Sequence, residues 1–137
     1  MFYKQKTKLW IYARTADPDS NALTGQAQDL ADYAARHGWQ VAGFTLDHGR
    51  GSSPLRPPLW AMLWKLRSGK ADAVLVRSLS RIGYSYEFIY LVLCCLQDCG
   101  IRLRTAEQNL QLELYFIGLE HRLANRAVLK GRCVPWR

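Results

Sequence analysis

The sequence predicts an α/β domain with a largely parallel sheet of four to five strands, flanked by helices and followed by a long C-terminal helix. The main observation is that apolar segments of strand length alternate with segments of helical periodicity along the chain. A second observation is the nearly continuous apolar segment 71–79, ADAVLVRSL, which is typical of a buried parallel strand. A third is the glycine that follows two helical segments, at Gly38 and Gly100, where helices commonly end.

The predicted elements follow one another in a regular order. Strands are predicted over 8–13, 39–46, 71–79 and 101–106. Helices are predicted over 22–38, 59–69, 85–100 and 107–132, with Asp19 or Ser20 as the cap of the first. A segment rich in glycine, serine and proline, DHGRGSSPLRPP, has no periodicity and is predicted to be a loop.

Composition and charge narrow the class of protein. The chain has 137 residues, 49% of them hydrophobic, which is enough for one domain with a core of its own. A formal net charge of +8 indicates an anionic partner, of which nucleic acid is the usual one. No apolar run approaches about 18 residues, and no signal-peptide pattern follows the basic start. We therefore expect no membrane contact and a cytoplasmic location.

The cysteines do not have the spacing of metal ligands. Cys94, Cys95 and Cys99 form a CC-x3-C cluster on a predicted helix, and Cys133 lies near the end of the chain. Metal sites usually combine two closely spaced ligand pairs, so core packing as free thiols is the favoured interpretation. We expect neither a metal ion nor a cofactor.

Three predicted strand ends each bring an arginine. Arg14 follows the first strand, Arg50 and Arg56 lie in the loop after the second, and Arg81 follows the third. Carboxyl ends of parallel strands meet at one edge of the sheet, and guanidinium groups match phosphate oxygens in shape and charge. We expect a phosphate or anion site there; internal pairing of the same arginines with Asp47 is the alternative. The glycine-rich loops G-x4-G-K-[ST] and G-x-G-x-x-G are absent from the sequence.

Four motifs in this order resemble the catalytic domain of the serine recombinases, the resolvase and invertase family. Residues 12–16, YARTA, are similar to the family pattern Y-x-R-x-S, and Leu23 and Gln26 match its first helix. Residues 47–53 resemble a D-x-G-x-S-G loop, and 56–59 match R-P-x-L. Residues 79–84, LSRIGY, are similar to L-D-R-L-x-R, and FIGLEHRLANRAVLKGR resembles the long family helix. The resemblance covers about residues 9–132.

The resemblance implies a specific chemistry and a specific set of residues. Family members cut and rejoin DNA through a serine that attacks a phosphodiester, while arginines stabilise the phosphate. They assemble into dimers and higher oligomers, largely through the long helix. Carried over to this sequence, the catalytic positions are Arg14, Ala16, Gln26, Asp47, Arg56, Ser80 and Arg81. Predicted phosphate contacts with DNA are Arg14, Arg50, Arg56, Arg81, Arg122, Arg126 and Lys130.

The sequence departs from the family pattern at three catalytic positions. Ala16 stands where the family has its serine, and a methyl group has no nucleophilic lone pair. Ser80 replaces an acidic residue and Tyr84 replaces an arginine. We therefore expect an inactive domain that serves as a DNA-associated, oligomerisation or regulatory module. Two alternatives stay open: an active recombinase that uses the hydroxyl of Ser20, Thr15 or Ser80, and a nonspecific DNA-binding regulator.

The last expectations concern the domain boundaries and the partners of the chain. We predict a catalytic-type domain over 1–106, a helix over 107–132 that forms a dimer interface, and a tail over 133–137. We expect no separate DNA-binding domain, so DNA contacts should be mainly to phosphates. The expected partners are DNA, a second copy of the chain and an active recombinase relative.

Overall fold

A computed structural model describes residues 7–17, 20–51, 53, 55–107 and 109–131. Its strands are β1 (Lys8–Arg14), β2 (Gln40–Asp47), β3 (Ala73–Val76) and β4 (Arg102–Thr105). Its helices are α1 (Ser20–Arg36), α2 (Pro57–Leu66), α3 (Tyr86–Asp98), α4 (Leu110–Phe116) and α5 (Leu119–Lys130), with a short 3-10 turn at Leu79–Arg81. The prediction of an α/β domain with a parallel sheet is confirmed.

The sheet has the strand order β2-β1-β3-β4, and every pair of neighbours is parallel. The register of β1 and β2 places Arg14 opposite Asp47, so both strands end at the same level. Because all four strands run the same way, the loops that follow them meet at one edge. We call this the carboxyl edge, and the opposite one the amino edge.

The two faces of the sheet are covered unequally. One face packs against α1 alone, whose Leu23, Ala27, Leu30 and Ala34 bury small and aliphatic side chains of β1 and β3: Leu9, Ile11, Ala13, Ala73 and Leu75. The other face packs against α2, α3 and the C-terminal helices and holds the larger core. One helix is too narrow to cover four strands, and Phe44 and Leu46 on β2 are accordingly about half exposed.

The predicted long helix over 107–132 is wrong as a single element, because the chain forms α4 and α5 instead. Gly118 has φ +78°, a left-handed conformation that ends a helix and that glycine adopts without a steric penalty. The buried positions carry the same signal: they are four residues apart within each helix but five apart across the break, from Leu114 to Leu119. Both helices contribute leucines to the main core, Leu110 and Leu114 from α4 and Leu119 and Leu123 from α5.

The third predicted strand is also shorter than expected. β3 ends at Val76, and the segment that follows leaves the sheet to form the 3-10 turn. The physical reason lies in the carbonyl groups of Ser80 and Arg81, which turn toward Arg14 and accept hydrogen bonds from it.

The three described cysteines are free thiols that differ in exposure. Cys94 is buried on α3, Cys95 is partly buried, and Cys99 is an exposed free thiol at the end of that helix. Cys133 and the tail 133–137 lie outside the described residues.

Within the described ranges, no helix combines the length and the apolar character needed to cross a bilayer, and no three potential metal ligands are grouped.

Gly43 gives a test of the packing at the edge strand. The Trp10 indole lies across Gly43 and donates a hydrogen bond of 2.7 Å to Thr45 Oγ1, which fixes its position. A Cβ at position 43 would lie less than 3.0 Å from three ring carbons. We expect Gly43→Ala to lower the free energy of unfolding by about 1–3 kcal/mol in a urea titration.

The matched control is Gly25→Ala within α1. A Cβ there meets nothing within 4 Å, and alanine is the better helix former. This variant should raise the free energy of unfolding by about 0.5–1 kcal/mol. Equal effects of the two substitutions would contradict the packing of Trp10.

Candidate functional site

The carboxyl edge brings together six of the seven predicted catalytic positions through hydrogen bonds and one ion pair. β1 ends at Arg14 and β2 ends at Asp47, while Arg56 immediately precedes α2. The 3-10 turn after β3 supplies Ser80 and Arg81, and Gln26 reaches the same edge from α1. Ala16 lies two residues beyond β1 and is exposed.

Arg14 is the centre of this edge. Its side chain is only 1% exposed, and its guanidinium donates to three backbone carbonyl groups. Nε donates to Arg81 (2.6 Å), Nη2 to Ser80 (2.7 Å) and Nη1 to Gly49 (3.1 Å). The cation therefore ties the loop after β2 to the turn after β3, and its donors are directed at the protein itself.

Gln26 completes the end of β1. Its Oε1 accepts the N–H of Arg14 at 3.1 Å, and its Nε2 donates to the carbonyl of Arg14 at 3.2 Å. A side-chain amide thus satisfies both polar groups of a buried residue at a strand end. The contact positions Arg14 and explains why this position holds a glutamine.

Asp47 is the buried counter-charge of the edge. Its Oδ2 accepts a hydrogen bond of 2.6 Å from the Tyr12 hydroxyl, and its Oδ1 accepts the N–H of Gly49 at 2.7 Å. Arg56 Nε lies 3.7 Å from Oδ2, with both side chains almost fully buried. Burial and the hydrogen bond to Asp47 raise the pKa of Tyr12 well above its usual range, so the phenol stays a neutral donor.

Arg56 lies in an apolar and aromatic setting. Its guanidinium lies over the rings of Phe88 (5.1 Å) and Tyr12 (6.0 Å) and donates to the carbonyl of Ile82. Burial lowers the pKa of Arg56, and the nearby Tyr12 and Asp47 oppose that effect. Its Nη1 has no hydrogen-bond partner among the described residues.

Arg81 is the more accessible arginine of the cluster. It is partly exposed, and its Nη1 donates to the carbonyl of Arg14 at 3.2 Å. Burial and the positive charges of Arg77 and Arg14 lower the pKa of Arg81. Within the described residues its buried Nε lacks a partner. Arg81 and the exposed Arg50 are thus the predicted phosphate contacts at this edge that face outward.

The candidate hydroxyl groups differ in their surroundings. Ser80 is exposed, and its Oγ lies 2.8 Å from Ser78 Oγ. Thr15 Oγ1 accepts the N–H of Asp17 at 3.1 Å, which holds it in a local turn. The side chain of Ser20 lies outside the described residues, as does Asp19, the other predicted cap.

Sequence reasoning missed the part played by Tyr84. Its ring lies against the Arg14 guanidinium, 5.4 Å from ring centroid to Cζ, and against Gly51, where a Cβ would be 2.6 Å from ring carbon Cε2. A hydrogen bond to Arg14 and the charges of Arg14 and Arg81 lower the pKa of Tyr84. The sequence shows that Tyr84 departs from the family motif, but it does not show that the phenol ring covers the guanidinium of Arg14.

The basic residues of α5 are engaged elsewhere. Arg122 forms an ion pair of 3.0 Å with Glu87 and lies 4.0 Å over the Tyr90 ring. Arg126 donates to Gln97 and pairs with Asp98 at 2.8 Å, at the far end of α3 from the carboxyl edge. Lys130 is exposed in the last turn of α5. The structure does not bring these three side chains to the Arg14 cluster.

Removal of the Asp47 charge tests how the edge is held together. Asp47→Asn leaves the buried guanidinium of Arg56 without its counter-charge, so we expect the free energy of unfolding to fall by about 3–5 kcal/mol. Urea unfolding measures the change. The control is Glu87→Gln, which breaks the exposed pair with Arg122 and should change stability by less than about 0.5 kcal/mol. A similar small effect of Asp47→Asn would contradict a structural role for that carboxylate.

Comparison with known proteins agrees with this geometry. A family model described as "Resolvase, N terminal domain" matches residues 9–117. The fold is similar to the N-terminal catalytic domain of TP901-1 integrase, with 20% identity, a TM-score of 0.70, and coverage of 90% of this chain and 98% of that one. It is also similar to a resolvase family site-specific recombinase from Streptococcus pneumoniae, with 19% identity, a TM-score of 0.64 and coverage of 92% and 95%. No curated protein matches the sequence. Because the family match spans most of the chain, this protein belongs to the resolvase family of serine recombinases, and the fold is that of their catalytic domain.

Proposed function

We propose that this resolvase-type domain does not carry out serine-based strand transfer and instead serves as a DNA-associated assembly or regulatory module. One observation carries the proposal. The guanidinium of Arg14 donates hydrogen bonds to the carbonyl groups of Gly49, Ser80 and Arg81. The residue two positions after it is Ala16.

The loss of chemistry follows from two requirements of phosphoryl transfer. The reaction needs an oxygen nucleophile, and the methyl group of Ala16 has none to offer. It also needs cations that are free to stabilise the phosphate as charge develops. Arg14 and Arg56 are each about 1% exposed and already hold protein groups, so in the conformation described here Arg81 and Arg50 are the cations of this edge that a phosphate can reach.

Association with DNA is supported by the charge that the edge retains. Arg81 is partly exposed, Arg50 is exposed on the neighbouring loop, and the whole chain has a formal charge of +8. Contacts of this kind reach phosphates and carry no sequence information directly. Binding should therefore tolerate many sequences and weaken as salt is added.

Assembly is supported by apolar side chains that α4 and α5 leave uncovered. The most exposed of them are Phe116, Val128 and Leu129, at 79%, 82% and 86%. Leu112 and Tyr115 add to the same helices and are more than half exposed. Solvent-facing apolar groups in such number are typical of a protein interface. We propose that a second copy of the chain, or an active relative, covers them.

The loss of strand transfer is tested by covalent trapping on DNA. The natural chain, mixed with a labelled pool of random-sequence duplexes, should give no detergent-stable protein–DNA band on a denaturing gel. The variant Ala16→Ser with Ser80→Asp and Tyr84→Arg restores the family pattern at all three positions, and it should form the band through a phosphoserine bond.

Two controls separate the outcomes of that experiment. The same triple variant with Arg81→Ala should lose the band, because an arginine is then missing beside the phosphate. A band from the natural chain would overturn the proposal. It would favour a substitute hydroxyl, which Thr15→Val and Ser80→Ala would then identify.

Assembly is tested by a charge placed on the exposed helices. Phe116→Glu introduces a carboxylate into the proposed interface, where burial of an unpaired charge is unfavourable. We expect the natural chain to sediment as a dimer or larger species, and Phe116→Glu to sediment as a monomer. Leu55→Glu is the control, because Leu55 is 83% exposed and lies outside α4 and α5. A natural chain that stays monomeric at high concentration would contradict the assembly role.

A further inference from the structure

A second basic site lies at the amino edge of the sheet, at the opposite end from Arg14. It is a cleft of about 510 Å³ between the amino ends of the strands and the ends of α2 and α3. Three arginines line it, namely Arg67, Arg102 and Arg104, together with Trp39 and one carboxylate, Asp72. Its size is within the range of pockets that hold small ligands, roughly 300–1,000 Å³.

The two arginines of β4 are the core of this site. Arg102 and Arg104 are two residues apart on one strand, so their side chains leave the same face about 6.6 Å apart along the strand. Neither guanidinium forms a hydrogen bond or an ion pair with the described part of the chain. Asp72 is occupied in another way, because its Oδ2 accepts the N–H of Lys8 at 2.9 Å.

The electrostatic surroundings of Arg104 favour the approach of an anion. Burial and the neighbouring charge of Arg102 lower the pKa of Arg104, and only Tyr33 acts in the opposite direction. Two guanidinium groups close together, one of them partly removed from water, destabilise a protein unless a negative group joins them. An anion in the cleft would offset this repulsion.

A structural explanation accounts for one arginine of the three. Arg67 directly follows α2, where a cation offsets the negative end of the helix dipole. Arg102 and Arg104 belong to a strand and terminate no helix. Their placement on one face therefore needs another cause.

From these observations we propose that the amino-edge cleft binds successive phosphate groups of a single nucleic-acid strand, with Arg102 and Arg104 as the phosphate contacts. The repeat of two arginines along an extended strand suits a repeating anion better than one isolated charge. Trp39 lines the same cleft, with its ring stacked on His37 at 4.7 Å, and could take an adjoining base. Cationic grooves with an aromatic platform are typical of single-strand binding.

The site is independent of the proposed function. β1 runs from Lys8 to Arg14, so the two edges of the sheet are roughly 20 Å apart. Loss of DNA binding at the carboxyl edge would leave the amino-edge cleft unchanged. An experiment must therefore report on the cleft itself.

Cys99 provides that report, because it is an exposed thiol that lines the cleft. The natural chain is treated with iodoacetamide, alone or with a twelve-nucleotide oligo(dT), and alkylation of Cys99 is followed by peptide mass spectrometry. Inorganic pyrophosphate is the second probe, since it offers the same phosphate chemistry without a strand. In parallel, anisotropy of labelled oligo(dT) is measured at several salt concentrations for the natural chain and for Arg102→Gln and Arg104→Gln.

We expect oligo(dT) to slow alkylation of Cys99 in the natural chain and not in the two variants. Each variant should reduce the slope of log K against log salt by about 0.7, the value for one phosphate contact of a single strand. Arg36→Gln is the matched control, because Arg36 is an exposed arginine in the last turn of α1 that does not line the cleft. It should preserve both the protection of Cys99 and the slope.

Three outcomes decide against the proposal. Unchanged alkylation of Cys99 with bound oligo(dT) would place the strand elsewhere. Equal protection by pyrophosphate at the same phosphate concentration would identify a site for small polyphosphates instead of a strand. A lower melting temperature of Arg104→Gln would indicate that the arginine stabilises the fold, whereas relief of charge repulsion predicts an unchanged or higher one.

Discussion

The carboxyl edge depends on the guanidinium of Arg14. Its three donors reach carbonyl groups of two separate segments, the loop after β2 and the turn after β3. Hydrogen bonds from a charged donor contribute about 1.5–3 kcal/mol each, so this one side chain sets the arrangement of both segments. A lysine would not replace it, because only the planar fork of arginine presents several fixed donors at once. The cation that organises the edge is for the same reason turned away from solvent.

The charges around Arg14 do not balance. Arg14 and Arg56 are buried and Arg81 is partly buried, whereas Asp47 is the buried carboxylate that pairs with Arg56, and Glu107 acts on Arg81 from farther away. The N–H groups that stay unpaired there, on Arg56 and Arg81, follow from this excess. Clusters of perturbed charged groups of this kind are concentrated at functional sites. The excess of positive charge supports the proposal that this edge attracts anions, even though its central arginine holds protein groups.

Periodicity and chain direction predicted the sheet, the common edge and the arginines that follow its strands, whereas Gln26, Asp47 and Ser80 were assigned to this site by the resemblance to the family. The hydrogen-bond partners of Arg14 were not predicted, because they are backbone carbonyl groups. Every residue has a carbonyl group, and only the tertiary structure decides which of them lie beside Arg14. The break at Gly118 was missed although the buried positions shift from four to five residues at that point. The contact of Tyr84 with Arg14 was missed because a motif compares only residue types. The contact itself depends on the space that Gly51 leaves open for the Tyr84 ring.

The departures from the family pattern have a common electrostatic consequence. In the family pattern that this sequence resembles, the position of Ser80 is acidic and the position of Tyr84 is an arginine. The serine removes a negative charge and the tyrosine removes a positive charge, so together they leave the net charge of the edge as the pattern has it. The Tyr84 phenol hydrogen-bonds with Arg14. The buried pair of Asp47 and Arg56 is untouched by either change. The proposed loss of chemistry is therefore compatible with an intact edge, because the contacts that hold the edge together do not involve the side chain of Ala16 or Ser80.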